Sequence, residues 1–251
     1  MSDVTVTRVG LVAIVEVQRP PTNFFDHELL RDLADRCEEL QSDADACHAI
    51  VIASLGKHFC AGANFGSQEL TVDRDTAASR IYTEGIRLFS IELPVVAAVQ
   101  GAAVGGGLGL ACAADFRVAS SATRFHANFA ALGFHHGFGL TVTLPRLVGP
   151  QRAKDLLLTA RPVTGDEAVK IGLADRLAEP GEERAGAIAL ATEIAAAGRL
   201  AVRSIKRTLT ASLANDVEAA LRHELEEQSW LWATPDSQAR VAASLARPKQ
   251  R

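Results

Sequence analysis

The chain lacks what would hold a nucleic acid. Its 251 residues carry 26 Lys and Arg against 30 Asp and Glu, a formal net charge of −4. No positive field is therefore available to draw in phosphates. Aromatic side chains are only 5% of the residues, too few for a base-stacking surface. The four cysteines, Cys37, Cys47, Cys60 and Cys112, include no CxxC pair. That argues against a bound metal or a redox dithiol and for reduced thiols in a cytoplasmic protein. Residues 1–8 lack the basic and then apolar stretches of a secretory signal. Blocks of like charge and internal repeats are missing too. What remains is an ordinary globular composition, 48% hydrophobic and 22% charged, in the size range of one large domain.

One apolar run approaches the length of a membrane span. From Val95 to Ala114 the only polar side chain is Gln100. Gly101, Gly105, Gly106, Gly107 and Gly109 lie inside it and point instead to a buried strand, a glycine turn and a buried helix. Elsewhere, residues 4–18 alternate around Gly10 and predict a hairpin. Asp26 predicts the N-cap of a helix whose Leu29, Leu30, Leu33, Cys37 and Leu40 follow helical spacing. Residues 49–53, 95–99 and 116–119 predict buried strands, with helices over 76–92 and 105–113 between them. That order predicts parallel strands joined by crossover helices, an α/β fold. Beyond about residue 150 the pattern is almost wholly helical, over 151–159, 164–171, 181–197, 201–215 and 216–232. Thr164 with Glu167 fits a capping box there. The change predicts a mixed core at 1–195 and a C-terminal helical region at 196–251.

Two loops carry unusual backbone signals. Lys57-His58-Phe59-Cys60-Ala61-Gly62-Ala63-Asn64-Phe65 follows a buried strand, and residues 100–109 lie between a strand and a helix. Small residues let a ligand approach the main chain. Free N–H groups at a helix start attract a developing negative charge, with the helix dipole behind them. Two such donors on one carbonyl oxygen form an oxyanion hole. Tight helix–sheet packing explains the Gly105–Gly107 run equally well. A dinucleotide-binding loop does not: no GxGxxG register opens the first strand unit, and no acidic residue ends a strand about 20 residues on.

Together these segments resemble the crotonase superfamily, the enoyl-CoA hydratase/isomerase family, over nearly the whole chain. Arg19-Pro20-Pro21-Thr22-Asn23 resembles its first CoA-contacting loop. Phe59-Cys60-Ala61-Gly62-Ala63-Asn64 resembles its F-x-A-G-x-D motif. Gly101 to Asp115 resembles its glycine-rich motif, and Phe125 to Gly149 follows the spacing of its next segment. The resemblance implies a spiral of ββα units with a C-terminal helical trimerisation region, in a homotrimer or a dimer of trimers. It implies a CoA thioester as substrate, no permanently bound cofactor, and an enolate held by the N–H groups of Ala61 and Gly106. Arg19, Pro21, Asn23, Lys57, Ala61, Ala63, Asn64, Phe65, Gly105, Gly106 and Phe129 would contact the ligand, with Lys57, His58 and the Arg19 loop near phosphates. Fatty acid metabolism is the implied setting.

The pattern breaks at the chemistry. Family hydratases place two glutamates as acid and base. Gly109 and Phe129 stand at those positions, and Asn128 replaces the proline before the second. Neither glycine nor phenylalanine moves a proton. The same segment gains His126, His135 and His136. An imidazole at His136 or His135 suits a general base near neutral pH; the alternative is that these rings cap a helix or pack at a turn. Glu84 and Asp73 read as surface carboxylates, and Trp230 and Trp232 as packing residues. Three functions follow: a lyase or isomerase acting through a thioester enolate, a non-catalytic acyl-CoA binding protein, and a histidine-assisted thioester or C–C hydrolase.

Overall fold

The computed structural model describes residues 3–43, 47–64 and 73–246. Val4–Val9 (β1) and Val12–Val17 (β2) pair as an antiparallel hairpin, turning at Gly10 with φ +57°. His27–Ser42 (α1) follows, and the Asp26 side chain accepts the Leu29 N–H as its cap. Ala49–Ser54 (β3) continues the sheet, and Arg74–Phe89 (α2) crosses over it. Asp73 is the N-cap of α2, accepting the Thr76 N–H.

Next come Val95–Ala98 (β4), Ala102–Val104 (β5), Gly106–Ala113 (α3), Phe116–Ser120 (β6) and Arg124–His126 (β7). A 3-10 turn at Ala130–Leu132 leads to Leu140–Val148 (α4), Pro150–Thr159 (α5), Val163–Thr164 (β8), Gly165–Ile171 (α6), Arg176–Ala178 (β9) and Glu183–Ala195 (α7). Arg199–Leu209 (α8), Leu213–Trp232 (α9) and Pro235–Ala246 (α10) complete the chain.

The main sheet has the order β1-β2-β3-β4-β6-β9, parallel from β2 onward. A second sheet has the order β5-β7-β8. Strand pairs β4–β5 and β6–β7 each place one strand in each sheet, and α3 follows the first pair: this is the repeating ββα unit of the spiral. Every residue of β3 is buried because both sheet faces are covered. Ile50 and Ile52 enter one core with α1, while Ala49, Val51 and Ala53 enter another with Ala187, Leu190 and Ala191 of α7. Alternate side chains of one strand thus bind two helical layers.

The run 95–114 resolves into β4, β5 and α3, so its apolar character belongs to the core. No single helix among the described residues is long and apolar enough to cross a membrane. The helical tail joins the core through Val217, Leu221, Trp232 and Val241. Its break differs from the reading at Asn215: α8 ends at Leu209 and α9 starts at Leu213. The second sheet and α4 carry no readable signal, since strands of two or three residues show no alternation and α4 lies between glycines with Pro145 inside it.

Candidate functional site

Beyond β3, Cys60 forms a parallel bridge with Ala103 of the second sheet. The Cys60 N–H donates to Ala102 O, and the Val104 N–H to Cys60 O, both at 3.0 Å. The following turn leans on the loop before α1: Ala61 N–H donates to Thr22 O at 2.9 Å and Phe25 N–H to Gly62 O at 3.0 Å. Gly62 has φ +90°, and a Cβ there would lie 2.8 Å from Val104 O and 3.6 Å from Gly106 N. Only glycine permits that approach, and it brings the turn against the start of α3. Gly105, at φ +57°, sends its N–H to His126 O at 2.8 Å.

Among the described residues, the N–H groups of Ala63 and Gly106 have no hydrogen-bond partner, and both residues line one cavity. The assignment of a donor to Ala61 is therefore corrected. Its proton is engaged by Thr22, and the unpaired amide lies two residues further on, at Ala63. Cys60 beneath this turn is not a nucleophile in waiting, because burial pushes its thiol up to about 12.

The cavity has a volume of about 320 Å³. Of the expected ligand contacts, Ala61, Ala63, Asn64, Gly105, Gly106 and Phe129 line it. No Asp, Glu, His, Lys or Arg is among its described lining residues. Its ionisable side chain there is Tyr82, whose hydroxyl donates to Gln228 Oε1 at 2.7 Å. Burial, reinforced by the nearby Glu224 carboxylate, raises its pKa, so the phenol stays protonated.

Phe138 explains Gly109. A Cβ on Gly109 would lie 2.5 Å from the Phe138 Cβ. The Phe138 ring, 1% exposed, packs 5.5 Å from Phe25 and edge-on to Tyr82 at 6.4 Å. The space where a longer side chain at position 109 would begin is filled by this ring. Phe129 packs edge-on against Phe134 at 5.8 Å.

The histidine assignment is corrected as well. Neither His135 nor His136 lines the cavity. The two rings stack at 4.1 Å, His135 Nδ1 lies 2.7 Å from His136 O, and His136 Nε2 lies 2.8 Å from Thr141 Oγ1. Burial first, then the neighbouring His135 and His223, push His136 down to about 3. It is therefore neutral at pH 7, and its 4.0 Å approach to Glu224 is not an ion pair there. Glu224 accepts the N–H groups of Gly139 and Thr141, each at 2.9 Å. These groups brace the segment 134–139 against α9. His126 contacts Ala160 O through Nε2 at 2.7 Å.

Several other expected ligand contacts serve the protein itself. Arg19 pairs with Asp3 and Asp26. The Asn23 carboxamide donates to Leu55 O and His58 O and accepts the Arg19 N–H. Pro21 and Lys57 do not line the cavity, and Phe65 lies outside the described residues. Glu84 is buried rather than exposed, held by Arg87 at 2.6 Å and His27 at 3.3 Å. Trp232 lines the cavity, whereas Trp230 is 57% exposed. The sequence reading missed Phe25, Tyr82, Phe138 and Gln228. The signal available was the clustering of Phe129, Phe134 and Phe138 in a chain otherwise short of rings.

The architecture defines a class first. An enoyl-CoA hydratase/isomerase from Mycobacterium paratuberculosis superposes with a TM-score of 0.85 at 29% identity, covering 97% of this chain and 98% of that one. Pseudomonas aeruginosa DspI superposes with a TM-score of 0.78 at 31% identity, covering 100% and 97%. The fold is that of the crotonase superfamily. In sequence, residues 8–247 match the family model described as enoyl-CoA hydratase/isomerase. The chain is 32% identical over 257 residues to the short-chain-enoyl-CoA hydratase of Clostridium acetobutylicum, covering 99% of this chain and 97% of the relative. It is 34% identical over 241 residues to the crotonyl-CoA hydratase of Syntrophomonas wolfei, covering 95% and 93%. The chain belongs to the enoyl-CoA hydratase/isomerase family.

Proposed function

We propose that this protein binds an acyl-CoA thioester and stabilises its enolate with the N–H groups of Ala63 and Gly106. One observation carries the reading: two main-chain donors without partners line the same cavity, one of them at the start of a helix. An oxyanion between them gains both hydrogen bonds and the favourable end of the α3 dipole. The names of the relatives, short-chain-enoyl-CoA hydratase and crotonyl-CoA hydratase, support a CoA thioester as the ligand. Lys57 and Arg124 flank His58 and lower its pKa, after burial itself. They supply positive charge for the phosphates of CoA. The apolar face of α8, with Ile205 and Leu209 exposed, supports the homotrimer, which sedimentation velocity tests.

Water addition is not the reaction this site supports. It needs an acid and a base over the double bond, and the described lining offers no carboxylate or imidazole. The test is crotonyl-CoA hydration, followed by loss of its conjugated absorbance. A rate at least about 10²-fold below that of the Clostridium acetobutylicum relative is expected, the scale of a lost acid–base group. A comparable rate contradicts the reading. Binding without turnover is the second reading, favoured by the same lack of titratable groups. Product formation from any acyl-CoA excludes it.

A further inference from the structure

We propose that the acyl group received by this cavity carries a planar aromatic ring beyond its α-carbon, so that the ligand is an arylacetyl-type CoA thioester, which keeps the Cα–H that an enolate requires. This rests on the thioester reading above and adds the class of acyl group. The chain has ten phenylalanines, two tryptophans and one tyrosine. Five of those phenylalanines, the tyrosine and one tryptophan line this single cavity. They surround open space rather than fill it, which separates them from ordinary core rings.

The rings form two linked sets. Phe134 sits edge-on to Phe129 at 5.8 Å and meets Trp232 at 5.9 Å with an interplanar angle of 68°. Phe138 meets Phe25 at 5.5 Å and Tyr82 edge-on at 6.4 Å. Each set presents ring edges and faces in the arrangement by which a further planar ring packs best. An Arg74 guanidinium lies 5.4 Å over the Trp232 ring and helps fix its plane.

The backbone is shaped to admit these rings. Phe138 adopts φ +60°, a region that a bulky side chain rarely occupies. Gly85 makes room for its ring tip, where a Cβ would lie 3.3 Å from Phe138 Cζ. Gly109 makes room at the base of the same side chain, and a Cβ on Gly137 would strike the Tyr82 hydroxyl. An apolar acyl site needs none of this; leucine and valine line an alkyl slot without strain. Rigid rings lining an open cavity select a flat guest. Phe138 also fills the space over Gly109.

The experiment is calorimetric titration of the full chain with phenylacetyl-CoA, cyclohexylacetyl-CoA, hexanoyl-CoA and free CoA. Phenylacetyl and cyclohexylacetyl groups match in size and differ in flatness and π character. Phenylacetyl-CoA is expected to bind about tenfold more tightly than either aliphatic thioester, the scale of one to two ring contacts. Phe134→Leu and, separately, Phe129→Leu are expected to narrow that ratio to about threefold. Equal or reversed affinities, with all thioesters tighter than free CoA, overturn the aromatic assignment and leave the thioester reading standing. Thioesters no tighter than free CoA overturn the thioester reading and this inference with it. A wild-type preference that persists undiminished in both folded variants also overturns it, because the rings then do not carry the selectivity.

Discussion

The two glycine turns around Ala63 and Gly106 and the histidine segment 134–139 make opposite use of their polar groups. In the turns, sheet pairing stops short. Cys60, Ala61, Val104 and Gly105 each donate their N–H to a protein carbonyl, while Ala63 and Gly106 do not. In the histidine segment the polar groups are paired inward, to Thr141, Glu224 and the main chain. A site is what the fold leaves unpaired. By that measure the turns are available for chemistry, and the imidazoles are part of the scaffold.

The sharpest break of this contrast is Gly106→Pro, which deletes one of the two free donors at the first position of α3, where proline suits the helix. Any thioester turnover is expected to fall about 10²–10³-fold. Gly106→Ala is the control: its Cβ meets the same Phe25 ring, but the N–H remains. Equal losses in the two variants, measured as kcat, assign the effect to packing instead.

Glu224→Ala attacks the other side of the comparison. It leaves the Gly139 and Thr141 amides without their acceptor, at a cost of about 2–4 kcal/mol in urea unfolding. A loss below about 0.5 kcal/mol contradicts the bracing role. Gly109→Ala tests the packed floor. Its methyl collides with Phe138, and overpacking of this kind costs about 1–3 kcal/mol. A double-mutant cycle with Phe138→Ala measures the coupling, and additive losses place the strain elsewhere.

The smallest effect on activity belongs to His136→Gln. Turnover is expected within about threefold of wild type, since a neutral, inward-facing ring contributes no proton. Its signature is in stability. The folded state holds His136 well below its ordinary 6.5, at about 3. The unfolded chain therefore takes up a proton first as pH falls. Stability from this group is fully present above pH 6.5 and is lost as pH drops toward 3, up to about 2 kcal/mol by pH 5. His136→Gln flattens that slope in pH-dependent thermal unfolding. An unchanged slope assigns it to other groups, with Glu224, His135 and His223 the nearest.

Much of the frame was legible because the signals were local. Gly10 marks the hairpin, Asp26 caps α1, and the apolar run of β3 announces a strand covered on both faces. The second sheet was not legible, since β5 and β7 are three residues each and owe their pairing to partners remote in sequence. The glycine loops marked the region of the site. Which amide stays free was not readable from a motif, because Ala61 is engaged by Thr22, nearly forty residues earlier and fixed there only by the tertiary fold. The histidines misled for the same reason. Residue type suggested a base, and Thr141 and Glu224 had already claimed the segment. Gly109 was visible as a departure, but its cause is Phe138, a ring from another turn.

The most direct measurement is the ¹³C chemical shift of a carbonyl-labelled butyryl-CoA titrated with the protein. Two main-chain donors gripping the thioester oxygen polarise that carbonyl, so a downfield shift on binding is predicted for wild type and Gly106→Ala, and a much smaller one for Gly106→Pro. A bound thioester whose carbonyl resonance stays at its solution position contradicts the account.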